Sequence, residues 1–200
     1  MSDHYYSENP NIESAPRTHK VELRGKKLVF TADAGVFSKA GIDFGTKTLL
    51  EHYELPEISG EILDVGCGYG PIGITIAKEA TDRQVVLVDV NERAIHLAKE
   101  NAIRNQVSNV TVLKSNLLEN VQNRHFASIL TNPPIRAGKQ VVHDLFEQAA
   151  AKLLPDGELW VVIQKKQGAP SAMEKLASLL NDVEVVVKKK GYFIIRAKNS

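Results

Sequence analysis

The sequence predicts an α/β fold, a mostly parallel sheet with helices on both faces. Three observations predict it. From residue 61 onward, strand-like and helix-like segments alternate, the rhythm of a parallel sheet. The segment VVLVDV (85–90) is continuously apolar, as a strand buried on both faces must be. A glycine-rich turn at 66–70 joins the first strand of the series to its helix, the place where open α/β sheets bind ligands.

Each element follows in order. Residues 1–18 are polar with two prolines and read as an N-terminal arm, either extended or disordered. VELRG and KKLVFTAD alternate around Arg24-Gly25, the signature of a hairpin. A glycine-punctuated loop leads into a short helix carrying Leu49, Leu50 and Tyr53. This hairpin and loop, 19–57, precede the sheet proper, 58–200, within a single domain spanning 19–200. EILDV is a strand, and PIGITIAKEA a helix opening on Pro71, a favoured first helical residue. The helix NERAIHLAKENAIRN places Ala94, Ile95, Ala98, Ala102 and Ile103 on its packed face. VTVLKS and ASILTN are strands. KQVVHDLFEQAAAKLL is a helix with Val142, Leu145, Phe146, Ala149 and Leu153 in register, stopped by Pro155-Asp156-Gly157. ELWVVIQ is a strand, and SAMEKLASLL a helix with the Ser171/Glu174 pattern of a capping box. VEVVVKKK and YFIIRA, joined at Gly191, form a terminal hairpin that adds an antiparallel member.

Composition excludes several classes. The 200 residues carry 25 Lys+Arg against 24 Asp+Glu, a net charge of +1, so the chain is no strongly basic nucleic-acid coat. Cys67 is the single cysteine, which rules out a disulfide framework and a cysteine-ligated metal cluster. The histidines, His4, His19, His52, His96, His125 and His143, show no ligand spacing, and no metal is expected. No apolar run reaches the roughly 18 residues of a membrane span, and the first residues lack an export signal. A cytoplasmic protein without a membrane partner is the expectation.

The chemistry concentrates at the ends of four strands. Asp64-Val65-Gly66-Cys67-Gly68-Tyr69-Gly70 allows a tight turn and lets a ligand approach bare backbone. Asp64 argues against a pyrophosphate, which prefers a helix amino end without a nearby anion, and for a ligand with a cationic end. Asp89 closes the second strand of the sheet, where a carboxylate can accept from both ribose hydroxyls; it could instead cap the helix starting near Asn91. Asn116, after the third strand, could meet an adenine edge or cap the turn at 117–120. Asn132-Pro133-Pro134-Ile135 follows the fourth strand. Its prolines fix two φ angles and remove two donors, leaving the Asn132 side-chain oxygen and the Pro133 carbonyl as rigid acceptors for an exocyclic amino group. A plain strand-terminating turn is the alternative.

Together, Asp64-x-Gly66-x-Gly68-x-Gly70, Asp89 and Asn132-Pro133-Pro134 resemble the class I S-adenosylmethionine-dependent methyltransferases that act on amino groups. The resemblance implies a Rossmann-like, seven-stranded, mostly parallel sheet with its last strand antiparallel, and S-adenosyl-L-methionine as cofactor. Gly35-Val36-Phe37-Ser38 and Asp43-Phe44-Gly45-Thr46 resemble the cofactor-covering loop of the bacterial small-subunit ribosomal RNA guanine 2-amino methyltransferase family. The similarity runs through 160–166, covers about residues 20–198, and is to the short, single-domain members. It implies that Asn132 and Pro133 hold the amine. It further implies that Gly45, Thr46, Asp64, Gly66, Cys67, Gly68, Gly70, Asp89, Val90, Asn116 and Asn132 contact the cofactor, Asp64 near its cationic end and Gly45 and Thr46 near its carboxylate. Pro134 and Ile135 face the substrate, Ile135 standing where many relatives carry an aromatic residue. The implied partner is RNA, namely ribosomal RNA or small-subunit assembly particles. Basic stretches at 17–27 and 185–200 (Lys188, Lys189, Lys190, Arg196, Lys198) either form a phosphate-contacting rim or are solvated faces. Two alternatives stand beside this reading: a protein glutamine-amide methyltransferase and a non-catalytic cofactor- or RNA-binding accessory protein.

Overall fold

A computed structural model describes residues 6–38 and 40–200. The first five residues of the expected arm, His4 among them, and Lys39 lie outside the described residues. The described residues form two sheets. β1 (Arg17–Leu23) and β2 (Lys26–Ala32) form the expected hairpin, and its two-residue turn has Arg24 and Gly25 both at positive φ, the geometry that matches strand twist.

The main sheet contains β3 (Glu61–Val65), β4 (Val85–Asp89), β5 (Val110–Lys114), β6 (Phe126–Thr131), β7 (Leu153–Gln164), β8 (Asp182–Lys189) and β9 (Tyr192–Lys198) in the order β5-β4-β3-β6-β7-β9-β8. All neighbours pair parallel except β9, which is antiparallel to both β7 and β8. This is the seven-stranded, Rossmann-like methyltransferase sheet that the resemblance implied. Among the described residues five α-helices surround it: α1 (Phe44–His52), α2 (Pro71–Glu79), α3 (Glu92–Arg104), α4 (Lys139–Ala151) and α5 (Ala169–Leu179). Apolar residues divide between the two faces. Ile62, Leu87 and Trp160 pack with Phe30, Leu49 and Ile74 on one side. Leu63, Val86 and Ile129 pack with Phe146 and Leu176 on the other.

Four details differ from expectation. Ile103 is 79% exposed instead of packed. The inner face of α3 is completed by Asn101 and Asn105, whose side chains bond both backbone groups of Thr31 and of Val29 and so pair the free edge of β2. The Pro155-Asp156-Gly157 stop lies within β7, which begins at Leu153 as α4 ends at Ala151, and the β6–β7 register shifts between Phe126 and Ser128 to accommodate it. α5 starts at Ala169, ahead of the expected capping box; its N-cap is Gly168, and Ser171 bonds His143 instead. Finally, residues 6–15 are docked on the domain, neither free nor simply extended into solvent: Glu8 accepts from the Glu92 amide at the start of α3, and Ser14 and Ala15 both donate to Asp33.

Candidate active site

β3 and β6 are neighbours, so the glycine loop and the Asn-Pro-Pro segment leave the sheet side by side. Thr131 Oγ1 donates to the Val65 carbonyl (2.9 Å) and locks the two strand ends together. Gly66 (φ +70°) and Gly68 (φ +56°) hold backbone conformations that favour glycine. A Cβ there would meet nothing nearer than 3.9 Å and 4.0 Å, so the loop offers bare backbone to open space. Gly70 and Gly73 are glycines for packing, because a Cβ on either would strike Ile74 or Leu87 at 2.5 Å.

Two clefts meet over this loop. One is walled by Gly66, Asp89, Val90, Ser115, Leu117 and Pro134, with Tyr6 and Asn132. The other is walled by Phe37, Asp43, Thr46, Cys67, Gly68 and Tyr69, again with Gly66 and Asn132. Gly66 and Asn132 are therefore the waist between them. The chemistry of the lining matches a ligand with an adenosine end and an amino-acid end: backbone approach at the loop, a carboxylate for hydroxyls in the first cleft, and a polar helix start in the second.

The carboxylates take distinct places. Asp89 lines the first cleft; Oδ2 accepts from the Gly68 amide (2.8 Å) and Oδ1 from the Asn91 amide (2.9 Å). Burial pushes its pKa up to about 6 against the pull of these amides. The helix cap is Asn91, which accepts from the Ala94 amide. Asp64, expected beside the cofactor's cationic end, lies beneath the loop, 1% exposed. Its Oδ2 accepts from the Gly73 amide inside α2 (2.9 Å), and Oδ1 is buried without a partner among the described residues. Burial raises its pKa to about 7. The reason is that Gly73 brings α2 close enough for its amide to claim the carboxylate.

Asn132 donates through Nδ2 to Thr46 Oγ1 (3.1 Å), with Asp43 Oδ2 at 3.5 Å, which leaves Oδ1 to accept. Asp43 is the N-cap of α1, accepting from the Thr46 amide. The Pro133 carbonyl is not free of competing amides: Ile135 N–H folds back to it at 2.8 Å through a tight turn at Pro134 (φ −76°, ψ 75°), which leaves it one lone pair.

The other expected residues divide. Val90 and Pro134 line the first cleft, and Thr46, Gly66, Cys67 and Gly68 the second. Burial raises the Cys67 thiol pKa well above its usual value and so disfavours the thiolate there. Gly45 sits beneath Tyr192, where a Cβ would come within 2.6 Å of the ring. Asn116 accepts from the Tyr6 hydroxyl (3.0 Å) and donates to Glu119 (3.2 Å), between cleft residues Ser115 and Leu117. Ile135 lies at a separate hollow with Val142, His143 and Ile163, between α4 and the start of α5. Tyr6, Phe37 and Asp43 also line the clefts; Phe37 and Asp43 belong to the segment that resembles a cofactor-covering loop, without an individual role assigned from sequence. Asp43 carried a signal, an acid immediately before a helix, and Phe37 a weak one, an aromatic in a glycine-punctuated loop.

The methyltransferase small domain family matches residues 27–196. A protein of Bacillus subtilis (strain 168) described as uncharacterized, YbxB, is 57% identical over 199 residues, 99% of each chain. Among solved structures, the T. thermophilus 16S rRNA N2 G1207 methyltransferase (RsmC), in complex with AdoMet and guanosine, superposes with a TM-score of 0.83 at 23% identity over 96% of this chain and 52% of its own. This chain thus spans about half the length of that enzyme. M. jannaschii TYW2 in complex with AdoMet is similar at a TM-score of 0.67 and 18% identity, over 94% and 88% of the two chains. The chain belongs to the methyltransferase small domain family, with an RsmC-like class I fold and S-adenosyl-L-methionine as its cofactor.

Proposed function

We propose that the chain methylates an exocyclic amino group, that of guanine in ribosomal RNA. One observation carries this reading: the Asn132 amide nitrogen faces Thr46 Oγ1 and the acceptor-only Asp43 Oδ2, so its oxygen is left as an acceptor at the waist of the double cleft. S-Adenosyl-L-methionine supplies a methyl on a sulfonium, already activated for transfer. The task left to the chain is in-line positioning. An aryl amine is a poor nucleophile because its lone pair is delocalised into the ring. Asn132 Oδ1 and the remaining lone pair of the Pro133 carbonyl each take one N–H, so the nitrogen pyramidalises toward the methyl. Positive charge grows on that nitrogen during transfer, and fixed acceptor dipoles then bind it more strongly than in the ground state. The nitrogen–carbon bond forms as the sulfur–carbon bond breaks, and the nitrogen sheds one proton to solvent. No strong base is required. Asp89 accepts the ribose hydroxyls, Val90 borders the purine, and Asp64 supports the loop from beneath.

An RNA substrate is supported by the rim. Lys190 lies over the Phe44 ring at 4.7 Å, Lys189 at 5.9 Å, and Tyr192 packs on Phe44 at 5.7 Å. Phe44 opens α1, two residues before Thr46. Cations interleaved with aromatics suit phosphates and exposed bases. The basic rim is narrower than expected. Arg196 pairs with Glu158 and Glu184, Lys198 with Asp156, and Arg24 with Glu79, all away from the clefts. The RsmC neighbour, an rRNA guanine N2 methyltransferase seen with guanosine, supports the same substrate class.

The test is incubation with labelled S-adenosyl-L-methionine and total cellular RNA or small-subunit particles, followed by nucleoside analysis. Label in N2-methylguanosine is expected. Label confined to a protein fraction would replace RNA with a glutamine amide.

A further inference from the structure

Residues 6–15 lie outside the family match, which begins at residue 27, yet they form a built strap. Its anchors are spread along its length. Glu8 accepts from the Glu92 amide (2.9 Å), and its carboxylate pairs with Lys114 (3.1 Å). Arg93 donates to the Ile12 carbonyl (2.9 Å), and Ser14 and Ala15 donate to Asp33 (2.7 and 2.6 Å). Pro10 sits over Gly35, where a Cβ would come within 2.6 Å of it; the bare backbone at Gly35 is what admits the strap. At its leading end, Tyr6 lines the first cleft with Asp89 and Val90 and donates to Asn116 Oδ1 at 3.0 Å.

We propose that Tyr6 is a cofactor-binding residue, held by the strap as a roof over the adenosine end of the cleft. The inference rests on the placement of adenosine beside Asp89. Three features fit a purine. Tyr6 brings an amphipathic ring to a cleft that the apolar Val90 and Leu117 also line. Its hydroxyl fixes the Asn116 amide, whose oxygen has a second lone pair for an exocyclic N–H. The anchors on α3 and on Asp33 lie outside the cleft, so the roof can lift at Tyr6 while the base of the strap stays attached.

The full-length protein, with Tyr6→Ala, Tyr6→Phe and Asp89→Ala variants of unchanged circular dichroism, tests this through the affinity and dissociation rate of S-adenosylhomocysteine and the affinity of free adenosine. Tyr6→Ala is expected to speed S-adenosylhomocysteine release by about tenfold, and to weaken adenosine by a similar factor, because the lost surface is at the purine end. Tyr6→Phe, losing one hydrogen bond, should change release by about threefold. A Tyr6→Ala protein that binds and releases like the parent, while Asp89→Ala binds weakly, would overturn the roof and leave the adenosine placement standing. Tighter binding by Tyr6→Ala would mean that the ring competes with the purine, and would overturn it equally. Parent-like binding by both alanine variants would remove the adenosine placement and the inference with it.

Discussion

The Asn132 amide nitrogen and the Thr46 hydroxyl stand 3.1 Å apart, linking the end of β6 to the first turn of α1. Neither residue orients the other by sequence proximity; the contact exists because α1 starts at Asp43 beside the second cleft. A side-chain amide can flip between two nearly isosteric poses, only one of which presents oxygen to an amine. The Thr46 hydroxyl can donate or accept and so anchors the amide in either pose; Asp43 Oδ2 at 3.5 Å, which only accepts, selects the pose with nitrogen toward it, since two oxygens would face each other in the other.

Thr46→Val keeps the shape of this buried residue and removes the acceptor. Single-turnover methyl transfer is expected to slow by about tenfold, with S-adenosyl-L-methionine affinity within about twofold of the parent. Asn132→Ala should lose roughly 100-fold or more in turnover, with a modest loss of cofactor affinity. Equal rates for parent and Thr46→Val would show that the amide needs no tether.

Asp89→Ala should weaken S-adenosyl-L-methionine binding by about 1.5–3 kcal/mol through loss of charge-assisted bonds to the ribose. The group also sets a pH dependence. Burial holds its pKa near 6, and hydroxyl donors favour the ionised form. Binding therefore expels the proton, so affinity is constant above about pH 6 and falls below it, at most about tenfold per pH unit. Calorimetry across this range should show the fall in the parent and its absence in Asp89→Asn.

The parallel strands were legible because burial on both faces leaves nearly unbroken apolar runs, as in β4, and the site was legible where backbone restriction leaves a trace in residue type, as at Gly66 and Asn132-Pro133-Pro134. What hid was governed by long-range hydrogen bonding. The packed face of α3 holds Asn101 and Asn105 because the edge of β2 needs partners, a demand that hydrophobic periodicity cannot register; Ile103 falls opposite Ala94 and is exposed. The docking of the strap was hidden for the same reason. Its anchors are backbone groups and charges, and its composition matches that of a free polar leader.

The buried Asp64 should make stability fall as pH rises. Its carboxyl holds a proton up to about pH 7 in the folded chain, against an ordinary 3.8, so between these values the folded state binds more protons than the unfolded one. Unfolding free energy then decreases with pH, by at most about 1.4 kcal/mol per unit, and levels off above about 7. Asp89 acts in the same direction below about 6. Asp64→Asn removes the ionisation while keeping the shape and an acceptor for the Gly73 amide. Its denaturation midpoints should be flatter between about pH 6 and 7 than those of the parent, whatever its absolute stability. Parent-like steepness in Asp64→Asn would place the titration elsewhere.

Lys188, Lys189 and Lys190 lie at the β8–β9 turn; Lys188 covers the Phe193 ring at 4.7 Å, while Lys189 and Lys190 cover Phe44. Of the three, Lys189 also pairs with Glu51, at 3.3 Å on the exposed surface, a contact worth little in salt. Each lysine that replaces a counterion on a phosphate steepens the dependence of log affinity on log salt by about one unit. With three of them changed to Ala, RNA binding and methylation should lose about two to three units of slope, while S-adenosyl-L-methionine affinity holds. Arg196→Ala, at a residue already shared between Glu158 and Glu184, should leave the slope unchanged. Titrations in rising salt distinguish the two variants. If the triple variant keeps the parent's slope, the turn is a solvated face and RNA is held elsewhere; if Arg196→Ala flattens it, the rim extends to the far end of β9.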